Sequence, residues 1–255
     1  MTYQTIAVEV SARRIATVLL RRPERGNAFD QVMLDELAAA LAGLAGDPHV
    51  RLVVLRGSGR HFCTGADVAA AKAPDGPGKG RRASLRDVLL ALDALPKPTI
   101  AAVHGAAIGG GAAFAACCDV VVAAEGAFFS VPEVRLGMPP LGVAPFLVRA
   151  IGHRGFRRYG LSGERMSPAE ALRLGLAHEV CAAGALEDVV ARIADEFLHA
   201  APGAIATLKR AAAGDAAADL AAIPAQETRH DPKAPEAVEG IASFREKRKP
   251  QWYPQ

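Results

Sequence analysis

Ile108-Gly109-Gly110-Gly111-Ala112-Ala113 is the stretch of sequence on which the fold depends. The β-branched apolar run before it, 99–103, is set apart from the preceding residues by two prolines and predicts a buried strand. The alanine-rich run after it, 112–118, predicts a helix. Consecutive glycines are typical of a tight turn or of a close approach between backbone and another group. The unpaired amides at the start of a helix that follows such a turn suit an oxyanion.

A second glycine turn, Cys63-Thr64-Gly65-Ala66-Asp67, follows an apolar run predicted as a strand over 50–56. If the two turns converge, each gives one backbone N–H to the same oxygen atom. Downstream, Glu133 follows the aromatic and apolar run 128–131, where burial raises a carboxyl pKa toward use as a proton carrier. His104 is an alternative base, although a lone histidine after a buried strand is more often a packed residue. The residues therefore offer a candidate site of two amides and one carboxylate. The alternatives are that both glycine turns are only tight corners and that Glu133 is an exposed carboxylate that pairs with Arg135.

The composition predicts one large domain, with or without a helical appendage, and excludes several classes of protein. The chain has 255 residues, 51% of them hydrophobic, with 25 glycines and few aromatics, so we expect a core of small side chains. Apolar runs break well before 18 residues and the N-terminus lacks a secretion signal, so neither membrane nor export is expected. Four cysteines without metal-ligand spacing indicate a reduced, cytoplasmic protein without a metal site. A net charge of +3 is too weak to indicate nucleic-acid binding, and it suits a substrate that carries phosphates.

Hydrophobic periodicity and capping residues predict most of the remaining secondary structure. Strands are predicted at 6–10, 15–20, 50–56, 99–103, 120–124 and 128–131, the first two as a hairpin. Helices are predicted at 30–44, 84–95, 112–118, 142–151, 167–174 with a capping box at its start, 186–200, 203–213 and 216–222. Residues 70–82 are rich in glycine, proline and basic residues, which is typical of an exposed loop. The late helices carry few large apolar residues, so we expect them to pack on partner subunits.

Short motifs spread over nearly the whole chain carry a family resemblance. They are Arg22-Pro23 with Asn27-Ala28, the run from His61 to Asp67, Val103-His104-Gly105 with Gly109-Gly110-Gly111, Cys118-Asp119, Pro132-Glu133 with Leu136-Gly137, Ser167-Pro168-Ala169-Glu170-Ala171 with Gly175-Leu176, and Phe244 with Glu246-Lys247-Arg248. In this order and spacing they resemble the crotonase (enoyl-CoA hydratase/isomerase) superfamily. The resemblance implies an α/β fold, a spiral of ββα units. It also implies a core with the active site over 1–195 and a C-terminal helical segment over 196–255 that builds homotrimers or dimers of trimers.

The resemblance also implies the substrate and the residues that hold it. An acyl-CoA thioester is the implied substrate, its enolate oxygen is held by the N–H groups of Ala66 and Gly110, and Glu133 moves the proton. The positions that match the family's CoA contacts are Arg25, Asn27, Ala28, Arg60, Ala66, Asp67 and Val68. For the arginines the alternative is ordinary surface charge, and for Asp67 it is a role in fixing the turn. No cofactor is implied apart from the CoA of the substrate, and neither nucleic acid nor membrane is expected as a partner.

Ala113 departs from the two-glutamate hydratases of the family, which carry glutamate at both positions that match 113 and 133. Alanine cannot hold water, so three reactions stay open: hydration with water held by another group or by the substrate, double-bond isomerisation by Glu133 alone, or another enolate reaction such as hydrolysis. Motifs around 116–119 and 133–137 resemble bacterial methylglutaconyl-CoA and isohexenylglutaconyl-CoA hydratases, which favours hydration. An inactive homologue that binds acyl-CoA or RNA is the alternative from another class.

Overall fold

The computed structural model describes residues 3–68, 82–212, 233 and 235–248, and the structural statements below refer to these residues. Its strands are β1 (Ile6–Val10), β2 (Ile15–Leu20), β3 (Leu52–Gly57), β4 (Thr99–Val103), β5 (Ala106–Ile108), β6 (Val120–Ala124), β7 (Phe128–Ser130) and β8 (Glu179–Cys181). Six of them form one sheet in the order β1-β2-β3-β4-β6-β8, and β5 pairs with β7 in a second, two-stranded sheet. The predicted β1–β2 hairpin is confirmed as antiparallel, and the other pairs are parallel.

Three of the helices in the described residues begin at caps that the sequence predicts, Asp30, Ser84 and Ser167. The helices are α1 (Gln31–Gly46), α2 (Leu85–Asp93), α3 (Gly110–Ala116), α4 (Ala144–Ser162), α5 (Pro168–Leu174), α6 (Leu186–His199), α7 (Pro202–Ala212) and α8 (Pro235–Arg245). Asp30 caps α1 by accepting a bond from the Met33 amide, and Ser84 caps α2 in a complete capping box. These caps satisfy amides that no helical carbonyl reaches, so they fix where α1 and α2 begin.

The core lies on both faces of the six-stranded sheet, because alternate residues of a buried strand point to opposite sides. In β3, Val53 and Leu55 pack into the large cluster under α1 to α4, whereas Leu52 and Val54 face α6. On that second face they meet small and branched side chains of α6, Leu186, Val190 and Ala194. The sheet is therefore covered by helices on both sides, as a parallel sheet requires.

Several predicted boundaries differ from those in the structure. The helix predicted over 142–151 begins at Ala144 and is interrupted where predicted, because Gly152 takes a non-helical conformation (φ +70°, ψ 161°); a second helical stretch, which was not predicted, follows this kink and completes α4 at Ser162. The capping box predicted at the start of α5 forms only in half: Ser167 accepts from the Glu170 amide, but the Glu170 carboxylate contacts Arg173. The helix predicted over 216–222 lies outside the described residues, as does nearly all of the loop predicted over 70–82. No helix among the described residues is both long and apolar enough to cross a membrane.

The division into a core (1–195) and a C-terminal oligomerisation segment (196–255) stays a prediction. One contact bears on it, because α8 packs against a 3₁₀ turn of the core, Pro132–Leu136. A Cβ atom added to Gly240 of α8 would lie 2.3 to 2.4 Å from backbone atoms of Leu136. The end of the chain thus touches the turn that carries Glu133.

Candidate active site

The two glycine turns lie side by side in the structure. Cys63 and Ala107 form a parallel bridge, and the Ile108 N–H donates to the Cys63 carbonyl at 2.9 Å. Three residues further along each segment are Ala66 and Gly110, the two residues whose amides are the predicted oxyanion donors. The pairing therefore carries both turns to the same end of the paired segments.

Glycine is required where these turns touch. A Cβ atom on Gly65, which has φ +90°, would lie 3.0 Å from the Ile108 carbonyl oxygen. A Cβ atom on Gly111 would lie 2.3 Å from the Cys63 carbonyl oxygen, far inside van der Waals contact. Larger residues at these positions would push the two turns apart and separate the amides that follow them.

The surroundings leave the two predicted donor amides available to a ligand. Phe29 pairs with Ala66: its N–H donates to the Gly65 carbonyl and its carbonyl accepts from the Asp67 N–H, each at 2.9 Å. In such a parallel bridge the N–H of the middle residue, Ala66, points to the opposite side. Gly110 is the first residue of α3, so its N–H has no acceptor within the helix.

Glu133 lies directly against the second glycine turn. A Cβ atom on Gly109 would lie 2.1 Å from Oε1 of Glu133, so only a glycine lets the carboxylate come this close. Gly109 is fixed in turn by its φ of +54° and by its N–H, which donates to the Ser130 carbonyl at 2.8 Å. The second carboxylate oxygen, Oε2, is buried and has no hydrogen-bond partner among the described residues. This burial raises the pKa of Glu133 to about 7, so the group exchanges protons near neutral pH.

Ala113 occupies the place that a second acid would need. It is fully buried in α3, and its N–H donates to the Gly109 carbonyl at 3.1 Å, one helical turn back. Gly109 is the N-cap residue of α3, so this bond places Ala113 one helical turn along from the residue against which Glu133 packs. Phe29 and Leu85 stand beside Gly110 and make that wall of the site apolar. The described residues therefore provide one carboxylate, that of Glu133, next to an apolar wall.

The residues predicted to contact CoA fall into two groups. Arg25, Arg60 and Ala66 are exposed, and the first two lie on neighbouring loops, since Pro23 packs on the glycine before Arg60. Asn27 is completely buried and its amide nitrogen donates to two carbonyls. The other predicted contacts are the buried Ala28, the half-buried Val68, and Asp67, whose carboxylate binds Arg22. The exposed group is free to meet a ligand, whereas the side chains of Asn27 and Asp67 are engaged within the protein.

Other reactive side chains near the turns are held in structural contacts. His104 has its Nε2 3.0 Å from the Gly59 carbonyl, as expected of a packed histidine. His61 accepts a bond from the Ala106 N–H, and burial, followed by the charges of its neighbours, lowers its pKa. Burial raises the pKa of the Cys63 thiol to about 12, so Cys63 is not a thiolate nucleophile at neutral pH. No group of three potential metal ligands occurs among the described residues.

A cavity of about 490 Å³ lies away from Glu133, between the C-terminal end of α3 and helices α6 and α7. Its charged groups are already paired, Asp93 with Arg149 and Asp119 with Lys209. It contains neither glycine turn, so it is not part of the candidate site.

Two features of the site were missed in the sequence. The contact between Gly109 and Glu133 depends on the pairing of β5 with β7. Only β7 was predicted as a strand, because β5 has three residues and gives no periodic signal. Arg22 was noted only within a motif, and its contact with Asp67 joins residues 45 positions apart. A buried arginine next to a proline, close to a glycine turn in space, has no local sequence signature.

Known proteins resemble this chain over nearly its whole length. The profile described as enoyl-CoA hydratase/isomerase matches residues 11–255. An enoyl-CoA hydratase of Alternaria alternata is 34% identical over 237 residues, which are 91% of this chain and 78% of the relative. The crystal structure of an enoyl-CoA hydratase from Mycobacterium avium subsp. paratuberculosis superimposes with a TM-score of 0.86 at 28% identity, covering 99% of this chain and 100% of that one.

A monofunctional enoyl-CoA isomerase from Mycobacterium smegmatis also matches. Its TM-score is 0.70 at 32% identity, and the match covers 88% of this chain and 97% of that one. The expected crotonase-type α/β fold is confirmed by these likenesses. The chain belongs to the enoyl-CoA hydratase/isomerase family.

Proposed function

We propose that the protein adds water to an α,β-unsaturated acyl-CoA, or removes it, through a thioester enolate. The observation that carries this proposal is the buried Glu133 carboxylate, packed against Gly109 at the start of the oxyanion turn. An acid with a pKa near 7 beside two unpaired backbone amides is the combination that enolate chemistry needs.

In the proposed hydration, ionised Glu133 takes a proton from water while the water oxygen bonds to C3 of the enoyl chain. The C2–C3 π electrons move toward the thioester, and the oxygen that becomes negative accepts hydrogen bonds from the Ala66 and Gly110 amides. Glu133 then returns the proton to C2, which completes the addition of water and restores the carboxylate. Each amide donor contributes about 3 to 4 kcal/mol to the transition state in sites of this type.

The water needs a second holder, because Ala113 supplies none. We propose that the acyl chain of the substrate contributes it, through a polar group of its own close to the double bond. The motif resemblance to methylglutaconyl-CoA and isohexenylglutaconyl-CoA hydratases supports such a chain, since glutaconyl groups carry a second carboxylate.

Double-bond isomerisation is the second candidate. A specific observation favours it: Oε2 of Glu133 has no partner among the described residues, and Ala113 leaves its side of the site apolar. A single carboxylate suffices to move a proton from C2 to C4 of a 3-enoyl thioester. The likeness to the isomerase from Mycobacterium smegmatis supports the same reading.

Ultraviolet absorbance of the conjugated thioester distinguishes the candidates. With a crotonyl- or glutaconyl-type thioester, hydration removes the conjugated band; with a 3-enoyl thioester, isomerisation creates it. Glu133→Gln is the control, and we expect it to abolish turnover while CoA thioesters still bind. Tight binding without any absorbance change in the wild-type protein would instead favour the inactive acyl-CoA-binding homologue, and full turnover by Glu133→Gln would remove Glu133 from the mechanism.

A further inference from the structure

We propose that Arg22 is a positioning residue that clamps the first glycine turn and so aims the Ala66 N–H at the thioester oxygen. The inference rests on the proposed function, because it concerns the oxyanion donor of the same site. Arg22 itself contacts no part of the candidate site where a substrate would react, so it acts through Asp67 and the backbone around Ala66.

The Arg22 guanidinium group makes three contacts at once. Its Nη2 atom lies 2.9 Å from Oδ2 of Asp67 and 3.2 Å from Oδ2 of Asp30, and its Nη1 atom donates to the Ala28 carbonyl. The side chains of the three charged residues are largely buried, with exposed fractions of 14% for Arg22, 9% for Asp67 and 21% for Asp30. A planar guanidinium fork fixes direction as well as distance, which a flexible ammonium does not.

Asn27 fixes the backbone of Arg22. The Arg22 backbone N–H donates to Oδ1 of Asn27 at 2.9 Å, and Nδ2 of Asn27 donates to the carbonyls of Ser58 and His61 at 2.8 and 2.6 Å. Asn27 is fully buried in a left-handed conformation, with φ +56°. The loop between β3 and the first glycine turn therefore holds Arg22 in place through Asn27. Arg22 in turn binds Asp67 at the end of the same glycine turn.

The backbone ties the two segments together at Phe29, and Arg22 holds the residues around that link. The Thr64 N–H donates to the Gly26 carbonyl at 3.1 Å. Phe29 binds both peptides that flank Ala66, because its N–H donates to the Gly65 carbonyl and its carbonyl accepts from the Asp67 N–H. Arg22 contacts the residues before and after Phe29, Ala28 and Asp30, and also Asp67, so it fixes the segment that holds the Ala66 peptide in place.

Loss of the arginine has a predictable electrostatic effect. Asp30 and Asp67 would remain close together and largely buried without the cation, and like charges in such a place repel or take up a proton. We expect this repulsion to separate Asp67 from the segment 28–30 and so to displace the Ala66 peptide that Phe29 holds. Small displacements of an oxyanion donor affect the transition state more than the bound substrate, so the loss should appear in kcat.

The test compares Arg22→Met and Arg22→Lys with Arg192→Met, which removes a surface arginine paired with Glu179. Turnover of the enoyl thioester gives kcat and KM, and the enolate absorbance of bound acetoacetyl-CoA reports the oxyanion site without turnover. We expect Arg22→Met to lower kcat about 10- to 100-fold with KM changed less than about threefold, and to weaken the enolate band. Arg22→Lys should recover part of both signals, and Arg192→Met should match the wild-type protein.

A double variant guards against loss of folding. Arg22→Met with Asp67→Asn removes the cation together with one carboxylate, so no like-charged pair is left; we expect it to fold, as judged by circular dichroism, with kcat still low. Wild-type kcat and enolate absorbance in folded Arg22→Met would overturn the inference.

A wild-type protein that neither turns over enoyl thioesters nor enolises acetoacetyl-CoA would overturn the proposed function instead. The amide resonance of Ala66 in nuclear magnetic resonance then decides on Arg22: a shift in Arg22→Met but not in Arg192→Met supports the clamp, and an unchanged resonance overturns it.

Discussion

Glu133 is the residue whose surroundings explain most of the proposed chemistry. One carboxylate oxygen, Oε1, packs against Gly109, and the other, Oε2, is buried without a hydrogen-bond partner among the described residues. An ordinary glutamate is fully ionised at neutral pH and returns a proton poorly. With its pKa raised to about 7 by burial, Glu133 both takes and gives a proton at similar cost.

The pH dependence of catalysis follows from this. The ionised form starts both hydration and isomerisation, so kcat/KM should rise with pH through an apparent pKa near 7 and level off above it. The measurement is kcat/KM from pH 5 to pH 9 with a substrate that does not titrate in this range. A profile already flat from pH 5 upward would show that Glu133 is not the group whose ionisation limits the reaction.

The same burial predicts a stability effect of Glu133→Gln. A raised carboxyl pKa means that the folded state holds the proton more tightly, so wild-type stability falls as pH rises from about 4.5 through 7. Glutamine has no proton to lose, and the variant should gain on the order of 2 to 3 kcal/mol relative to the wild type between pH 4 and pH 8. Urea unfolding at both pH values measures this gain. Glu164→Gln, at a surface ion pair, is the control, and an equal gain there would contradict the assignment.

Ala113 offers the complementary prediction. Because Ala113 matches the position of a second glutamate in the two-glutamate hydratases and its N–H bonds to the Gly109 carbonyl, we expect Ala113→Glu to bring a second carboxylate to the site. We expect faster hydration if water positioning limits the rate, together with a higher apparent pKa, since two neighbouring carboxylates resist joint ionisation. Hydration rates of Ala113→Glu and Ala113→Gln are the comparison. Equal rates in wild type and Ala113→Glu would mean that the water is already held in another way.

At the scale of elements, local sequence was enough for the parts whose signal is local. The strands β1, β2, β4 and β6 lie where periodicity predicts them, and the caps at Asp30 and Ser84 start α1 and α2 as expected. The strands β5 and β8 are three residues each and exist because a neighbour pairs with them. In α4 the interruption at Gly152 lies where the sequence predicts a helix end, whereas the helical stretch after it was missed because most of its residues, 153–162, are basic residues and glycines.

The site shows the same division. The two glycine turns and Glu133 could be predicted because each has a distinctive residue type at a strand end. The two turns meet because Cys63 pairs with Ala107. The resemblance implied that the turns meet, whereas local patterns left this open. The Arg22 contact to Asp67 is a long-range one, and neither source indicated it.

The contact between α8 and the turn that carries Glu133 makes an element-scale prediction. A methyl group at Gly240 collides with the backbone of Leu136, three residues after Glu133, so Gly240→Ala must displace the turn. We expect kcat to fall about tenfold and the apparent pKa to move down toward that of an exposed glutamate. Gly203→Ala in α7 is the matched control, because its added Cβ would meet no atom of the described residues within 4 Å outside its own stretch of helix. Similar kinetics in the two variants would show that α8 does not position Glu133.

At the scale of the whole molecule, the C-terminal helices α7 and α8 each expose a large apolar side chain. Helix α7 has no buried residue, although Lys209 ties it to Asp119 of the core. Leu208 of α7 is 68% exposed, and Phe244 at the end of α8 is 69% exposed. Exposed apolar side chains on these two helices favour contacts with further copies of the chain.

The family resemblance implies a homotrimer or a dimer of trimers whose contacts include the segment 196–255, and the exposed side chains of α7 and α8 suit such contacts. Light scattering coupled to size-exclusion chromatography should give three or six times the mass of one chain. Leu208→Glu places a charge on the expected interface and should shift the mass toward the monomer, whereas Val10→Glu, at an apolar residue 49% exposed on the edge strand β1, should not. A monomer in the wild-type protein would contradict the expectation, and dissociation by Val10→Glu alone would place the interface at the edge of the sheet. Helix α8 contacts the Glu133 turn of its own chain, so this contact should survive dissociation. Leu208→Glu should therefore leave the pKa of the pH–rate profile unchanged, which separates assembly from catalysis.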